Sequence, residues 1–292
     1  MRILLLGKNG QLGWEFQRTL LSLGEVLAWD WQDVDLEDSE ILRGAVRQAA
    51  PQVIVNAAAY TAVDRAESEP EKARAINASA PAVLAEEAQR LEAGIIHFST
   101  EYVFNGEKQG NYIETDEPGP LNVYAMSKLE GEKEVASRGG AYWIFRTSWV
   151  FSERRDNFVN KVLQWSRSQS KLRVVNDQWG SPTWSRALAE ITTQVLAMGR
   201  SDPVEWVRQT AGLYHVAGDG GASRYEFAQE ILRLDPQRDQ QVVQEIVEAR
   251  SSDFPAGARR PLNGVLDCSK FKLAFGVSLP PWRRSLELMF ER

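Results

Sequence analysis

The chain has 292 residues, 43% hydrophobic and 25% charged, enough apolar content to bury a large core as one big domain or a domain with a subdomain. Its net charge of −6 argues against non-specific binding to nucleic acid or to an anionic membrane surface. One cysteine, Cys268, excludes an internal disulfide and points to a reducing, cytoplasmic setting; two histidines, His97 and His215, both in apolar stretches, argue against a zinc site or a histidine-based nucleophile.

Residues 2–6 read as a buried parallel strand, a short apolar run ending in glycine. Gly7-Lys8-Asn9-Gly10-Gln11-Leu12-Gly13 follows, then an amphipathic helix to about residue 23. Glycines in a strand-to-helix loop let the backbone approach a diphosphate, and the helix N-terminus supplies free N–H groups and a favourable dipole. Gly7, Gly10 and Gly13 are spaced G-x-x-G-x-x-G, unlike the G-x-G-x-x-G fingerprint, so a plain turn competes with a dinucleotide site. The apolar run is far too short for a signal peptide or a membrane span.

A second strand, 25–29, ends at Asp30, placed to accept hydrogen bonds from an adenosine ribose. No arginine follows within the next several residues, so nothing local would hold a 2′-phosphate. Asp35 and Leu36 are candidates for the adenine edge, ahead of a helix over 39–49. Strand three, 53–56, runs into Ala57-Ala58-Ala59-Tyr60-Thr61, small residues suited to a cofactor lying on the backbone. An alanine- and glutamate-rich helix spans 70–91, with Asn77 in its middle facing the cofactor loop. Strand four, 94–98, ends in Ser99-Thr100-Glu101-Tyr102, at the strand end where open α/β sheets place ligands. Residues 105–121 read as a loop able to close over the site.

The helix over 121–137 carries Tyr124 and Lys128. Positions i and i+4 share a helical face, so phenol and ammonium can point at one bound molecule. A nearby ammonium lowers a phenol's pKa and makes it a better proton donor; two residues on a solvated face is the competing reading. Strand five is 142–147. Alternating strands and helices to residue 150 give an α/β, doubly wound, Rossmann-like parallel sheet. The expected division is a cofactor-binding domain over 1–150, with segments returning at about 170–199, and a smaller, discontinuous substrate region within 151–292. Within it, Arg154 and Arg155 precede a helix from Asn157 to about 168, and 173–176 reads as strand six. A further helix starts with Ser181 as N-cap and Pro182 in its first turn. Ala258-Arg259-Arg260-Pro261 is a basic turn suited to a diphosphate.

Seven blocks in order along the chain carry a resemblance: GKNGQLGWE (7–15), VNAAAYTAVDRAESE (55–69), STEYVF (99–104), VYAMSKLEGE (123–132), FRTSWV (145–150), NDQWGSPT (176–183) and ARRP (258–261). Together they resemble the dTDP-4-dehydrorhamnose reductase family of the extended short-chain dehydrogenase/reductase superfamily. The resemblance implies NAD(P)H-dependent reduction of dTDP-4-dehydro-β-L-rhamnose to dTDP-β-L-rhamnose, the last step of dTDP-L-rhamnose biosynthesis. It implies Tyr124, Lys128 and Thr100 as catalytic residues. The expected cofactor set is Gly7, Gly10, Gln11, Leu12, Gly13, Asp30, Asp35, Leu36, Ala59, Tyr60, Thr61 and Ser99, with Tyr124 and Lys128. The expected sugar-nucleotide set is Thr100, Glu101, Trp149, Asn157, Gln178, Arg259 and Arg260. NADPH and NADH both stay open, as do a homodimer and a divalent ion such as Mg2+. Three departures stand out: Glu101 where the family has Asp, Ala125 where it has Gly, and Ser127 where it has Thr. The rival readings are a sugar-nucleotide epimerase or dehydratase on the same fold, a non-catalytic reductase-like regulatory subunit, and a nucleotide-binding scaffold.

Overall fold

A computed structural model describes residues 1–291. In chain order its first half comprises β1 (Arg2–Leu6), α1 (Gln11–Thr19), β2 (Glu25–Trp29), α2 (Ser39–Ala49), β3 (Val53–Asn56), α3 (Val63–Ala66), α4 (Pro70–Arg74), α5 (Ala80–Arg90), β4 (Gly94–Thr100), α6 (Val123–Arg138) and β5 (Tyr142–Thr147). Then come β6 (Val150–Phe151), α7 (Phe158–Ser166), β7 (Lys171–Val175), β8 (Trp179–Gly180), β9 (Thr183–Trp184), α8 (Ser185–Met198), α9 (Pro203–Gln209) and β10 (Gly212–His215). The rest is β11 (Ala222–Ser223), α10 (Arg224–Leu234), β12 (Glu245–Ala249), β13 (Asn263–Gly264), α11 (Ser269–Phe275) and α12 (Trp282–Phe290).

Six strands form one parallel sheet in the order β10-β5-β4-β3-β1-β2. Alternation along each strand explains the two helical layers. Ile3, Leu5, Val53, Val55, Trp143 and Phe145 face α1, α8, α9 and α11. Leu4, Leu6, Ile54, Ile95 and Ile144 face α2, α5 and α6. The connection order reverses between β1 and β3, which opens a crevice above their carboxyl ends. A separate apolar cluster joins α7, β7, α10 and α12 around Phe151, Val162, Phe227 and Trp282. No described helix is long and apolar enough to cross a membrane.

Several expectations are corrected. Residues 171–175 do form a strand, but β7 pairs with β12 in its own two-stranded sheet. The sixth strand of the main sheet is β10, pairing Gly212 to His215 with Trp143 to Arg146. Ser181 does not cap the following helix: Thr183–Trp184 first pairs with Val150–Phe151, so α8 begins only at Ser185. The helix read over 70–91 is interrupted by a π turn, Ala75–Ser79, centred on Asn77. The loop 105–121 is pinned rather than free. Tyr112 bridges to Leu266 and stacks on Phe104 at 4.1 Å, and Glu114 accepts the His215 N–H at 2.8 Å.

Candidate active site

The crevice holds a cleft of about 660 Å³. Its floor is the glycine loop. Gly7 has φ of +84°, and a Cβ there would lie 2.8 Å from the Ala58 nitrogen. On Gly13 a Cβ would lie 1.9 Å from the Gly7 carbonyl oxygen, so this glycine packs the loop onto α1 from behind and does not line the cleft. No side chain caps α1, which leaves its first N–H groups available to an anion. Gly7, Gly10, Gln11, Leu12, Asp30, Asp35, Leu36, Ala59, Tyr60, Thr61, Ser99, Tyr124 and Lys128 all line the cleft. Two buried hydroxyls on its wall, Ser99 Oγ and Thr147 Oγ1, have no partner among the described residues. An elongated slot with a bare-backbone floor, a free helix N-terminus and unpartnered donors fits a dinucleotide.

The cofactor loop and the catalytic helix are joined through Asn77. Its Oδ1 accepts the Tyr60 N–H at 2.9 Å, and its Nδ2 donates to the Tyr60 carbonyl and to Ser127 Oγ, each at 3.0 Å. Ser127 Oγ in turn donates to the Tyr124 carbonyl at 2.8 Å. The π turn aims Asn77 between these two segments. Asn122 caps α6 by accepting the Ala125 N–H at 2.8 Å, and its Nδ2 donates to the Arg259 carbonyl at 2.8 Å. The start of the catalytic helix is thereby tied to the basic turn.

Tyr124 is partly buried at the first turn of α6, and its ring meets Tyr102 edge-on at 5.8 Å. Burial, with Glu101 and Tyr102 close by, pushes the phenol well above its usual range, while Thr100 opposes this. The expected lowering by Lys128 is therefore corrected. Lys128 is 2% exposed, and its ammonium donates to the Phe98 carbonyl at 2.6 Å. Burial brings its own pKa down to about 8, against the pull of Glu132.

Thr100 ends β4, accepts the Tyr102 N–H at 3.2 Å and donates its hydroxyl to Glu101 Oε2 at 2.9 Å. Burial raises the Glu101 carboxyl to about 7, opposed first by Thr100. Gly264 makes room for the extra methylene, since a Cβ there would sit 2.6 Å from Glu101 Cγ. Trp149 has φ of +44° and lies across Gly180, where a Cβ would come within 2.4 Å of the indole. The Arg224 guanidinium stacks on that indole at 3.6 Å and faces Tyr102 and Glu101. Arg224 escapes sequence reading because it is a lone arginine opening a helix, with no motif around it. Arg260 pairs with Asp64 at 2.7 Å and also reaches Tyr102, whereas the Arg259 side chain is exposed.

Two expected sugar contacts have side-chain partners within the chain. Asn157 spends its amide on the backbone: Oδ1 accepts the Val159 N–H, and Nδ2 donates to the Ser152, Arg154 and Arg155 carbonyls. Gln178 donates to Ser251 Oγ at 2.9 Å. The histidines are buried, with the Asn56 amide 3.1 Å from His97 Nδ1; burial lowers the pKa of both, His215 to about 3. Cys268 is partly buried and its thiol is pushed up to about 12. Among the described residues no group of three His, Cys, Asp or Glu side chains could hold a metal ion.

Comparison with known proteins gives the same picture over the full length. The family model described as the RmlD substrate binding domain matches residues 1–292. A dTDP-4-dehydrorhamnose reductase of Burkholderia thailandensis is 42% identical over 99% of this chain and 97% of the relative. The solved dTDP-4-dehydrorhamnose reductase of Clostridium acetobutylicum superposes with a TM-score of 0.90 at 34% identity, covering 100% of this chain and 99% of that one. That of Bacillus anthracis, solved in complex with NADP, gives 0.88 at 30% identity, covering 99% and 98%. Full-length agreement in sequence, fold and family model shows that the chain belongs to the dTDP-4-dehydrorhamnose reductase family.

Proposed function

We propose that the chain reduces the C4 keto group of dTDP-4-dehydro-β-L-rhamnose to give dTDP-β-L-rhamnose, using NADPH or NADH. The observation that carries this reading is the convergence of Tyr124 and Lys128, with Thr100 beside Tyr124, on a cleft floored by the glycine loop. The bound nicotinamide supplies a hydride to C4. Tyr124 holds its proton firmly and releases it to the developing alkoxide, a far stronger base than a phenolate. Lys128, buried below, holds the nicotinamide ribose. Thr100 orients the carbonyl once its hydroxyl turns from Glu101 Oε2 to the substrate oxygen. Trp149, Arg224 and Arg260 form an aromatic and cationic wall suited to the sugar nucleotide. We assign cofactor binding mainly to residues 1–150 and sugar-nucleotide binding mainly to 151–292, in the cytoplasm. The expectation of Mg2+ gains no support from the described residues.

A dehydratase would need a second acid after the catalytic threonine, but Tyr102 follows Glu101. The test is incubation of purified protein with the 4-keto-sugar nucleotide and NADPH. One reduced cofactor consumed per sugar is expected, with a product heavier by two hydrogens. Turnover without net cofactor oxidation, or a product lighter by one water, sinks the reading in favour of an epimerase or dehydratase.

A further inference from the structure

We propose that Arg155 receives the 2′-phosphate of NADPH and so lets the chain use that cofactor in spite of Asp30. The inference rests on the reductase reading and deepens it by naming what sets cofactor choice. Asp30 stands at the end of β2, where a dinucleotide's adenosine ribose lies. Its Oδ2 accepts the Asn9 N–H at 2.9 Å and its Oδ1 accepts the Trp31 N–H at 2.8 Å. A carboxylate there welcomes a 2′-hydroxyl and repels a 2′-phosphate. The glycine loop's own cation does not offset it, because Lys8 is turned to Asp33 at 2.6 Å.

The compensating charge comes from far along the chain. Arg155 Nε donates to the Asn9 carbonyl at 2.7 Å. Asn9 therefore touches Asp30 through its N–H and Arg155 through its C=O, which brings the two side chains to the same end of the cleft that both line. Neither Nη atom of Arg155 makes a hydrogen bond or ion pair among the described residues. The neighbouring acid, Asp156, is paired with Lys161 at 3.1 Å. Arg155 thus presents a planar, uncommitted fork, the geometry that suits a phosphate.

The segment carrying it is held in place. Arg155 has φ of +65°, unfavourable for a residue with a Cβ, yet its carbonyl is fixed by the amides of Asn157 at 3.2 Å and Asn160 at 2.8 Å. Ser152 Oγ donates to Gln11 Oε1 at 2.8 Å, and Arg154 stacks on Trp14 at 3.4 Å. The loop is thus anchored to α1 just ahead of Arg155 and to its own backbone just after it. The pair of arginines has split duties: Arg154 packs, and Arg155 is left for a ligand.

The test uses the full chain, with binding of 2′,5′-ADP and 5′-ADP followed by calorimetry in the wild type, Arg155→Ala and Arg155→Lys. Arg155→Ala is expected to weaken 2′,5′-ADP about tenfold or more while 5′-ADP stays within about twofold. Arg155→Lys should retain part of the preference, as a point charge without the fork. The ratio of kcat/KM for NADPH over NADH should fall by a similar factor in Arg155→Ala. Equal losses for both nucleotides would make Arg155 a diphosphate clamp and overturn the proposal, as would no loss for either. Failure to reduce the keto-sugar would instead strike the reductase reading and leave the nucleotide arm intact.

Discussion

Tyr124 sits in surroundings that hold its proton in place, because burial and the adjacent Glu101 disfavour the phenolate. A donor of this kind acts only once charge develops on the substrate oxygen. Tyr124→Phe keeps the ring and deletes the proton, so kcat should fall by ~10²–10⁴ while the cofactor still binds. Near-full kcat in that variant would remove Tyr124 from the mechanism. Glu101 makes a second prediction, through pH. Its folded pKa of about 7 lies above the ordinary 4.5, so between the two values the unfolded chain has released a proton that the folded chain keeps. The stability linked to Glu101 is then fully present below pH 4.5 and declines as pH rises to about 7. Glu101→Gln carries no such proton and should flatten that decline, by a few degrees in Tm. Parallel Tm-versus-pH curves for wild type and Glu101→Gln would show that Glu101 is not the group responsible.

At the scale of elements, the first five strands and the catalytic helix were legible because each is a local pattern. Buried runs end in glycine or small residues, and Tyr124 and Lys128 stand at i, i+4 on the helix that bears them. The π turn was not legible. Ala75 to Ser79 is as compatible with an ordinary helix, and the extra residue is set by what Asn77 must reach. Opposite it, Gly131 in α6 lets the helices close to the point where a Cβ would lie 2.1 Å from the Asn77 carbonyl oxygen. The Asn77 side chain therefore links the cofactor loop at Tyr60 to the hydroxyl of Ser127 behind Tyr124. Asn77→Ala leaves the Tyr60 backbone without that partner, at a cost of about 1–3 kcal/mol. The KM for the cofactor should rise about tenfold, with a smaller change in kcat, in steady-state kinetics at saturating sugar nucleotide. An unchanged cofactor KM would mean that the loop after β3 holds its shape without Asn77. Arg224 went unread, and Arg155 was seen only as preceding a helix, for a related reason: each gains its place from contacts with segments remote in sequence, Trp149 for one and Asn9 for the other.

For the whole molecule, the two halves share one core, of which sequence reading offered only segments returning at about 170–199. A strand was visible at 173–176, close to the observed 171–175, but nothing in its residues names 245–249 as its partner, nor Gly212–His215 as the sixth member of the main sheet. The consequence is physical. Residues 1–150 supply the sheet's interior strands, yet one entire face is covered largely from beyond residue 180, by Leu188, Val195, Val207, Phe271 and Phe275. Without them Trp143, Phe145, Ile3 and Phe16, all buried in the chain, would meet water, and β5 would become an open edge. Each large side chain so exposed costs roughly 1.5–3 kcal/mol, and a few of them exceed the net stability of an ordinary domain. A fragment of residues 1–150 should therefore be insoluble, or soluble with dye-binding apolar surface and no cooperative melt. The full chain should unfold in one transition, and a cofactor present at about a hundred times its Kd should stabilise that transition as a whole by about 2.7 kcal/mol. Calorimetry with and without NADPH reads both. A fragment of residues 1–150 melting cooperatively at the full chain's Tm would mean that the shared core contributes nothing, and that cofactor binding is a property of the first half alone.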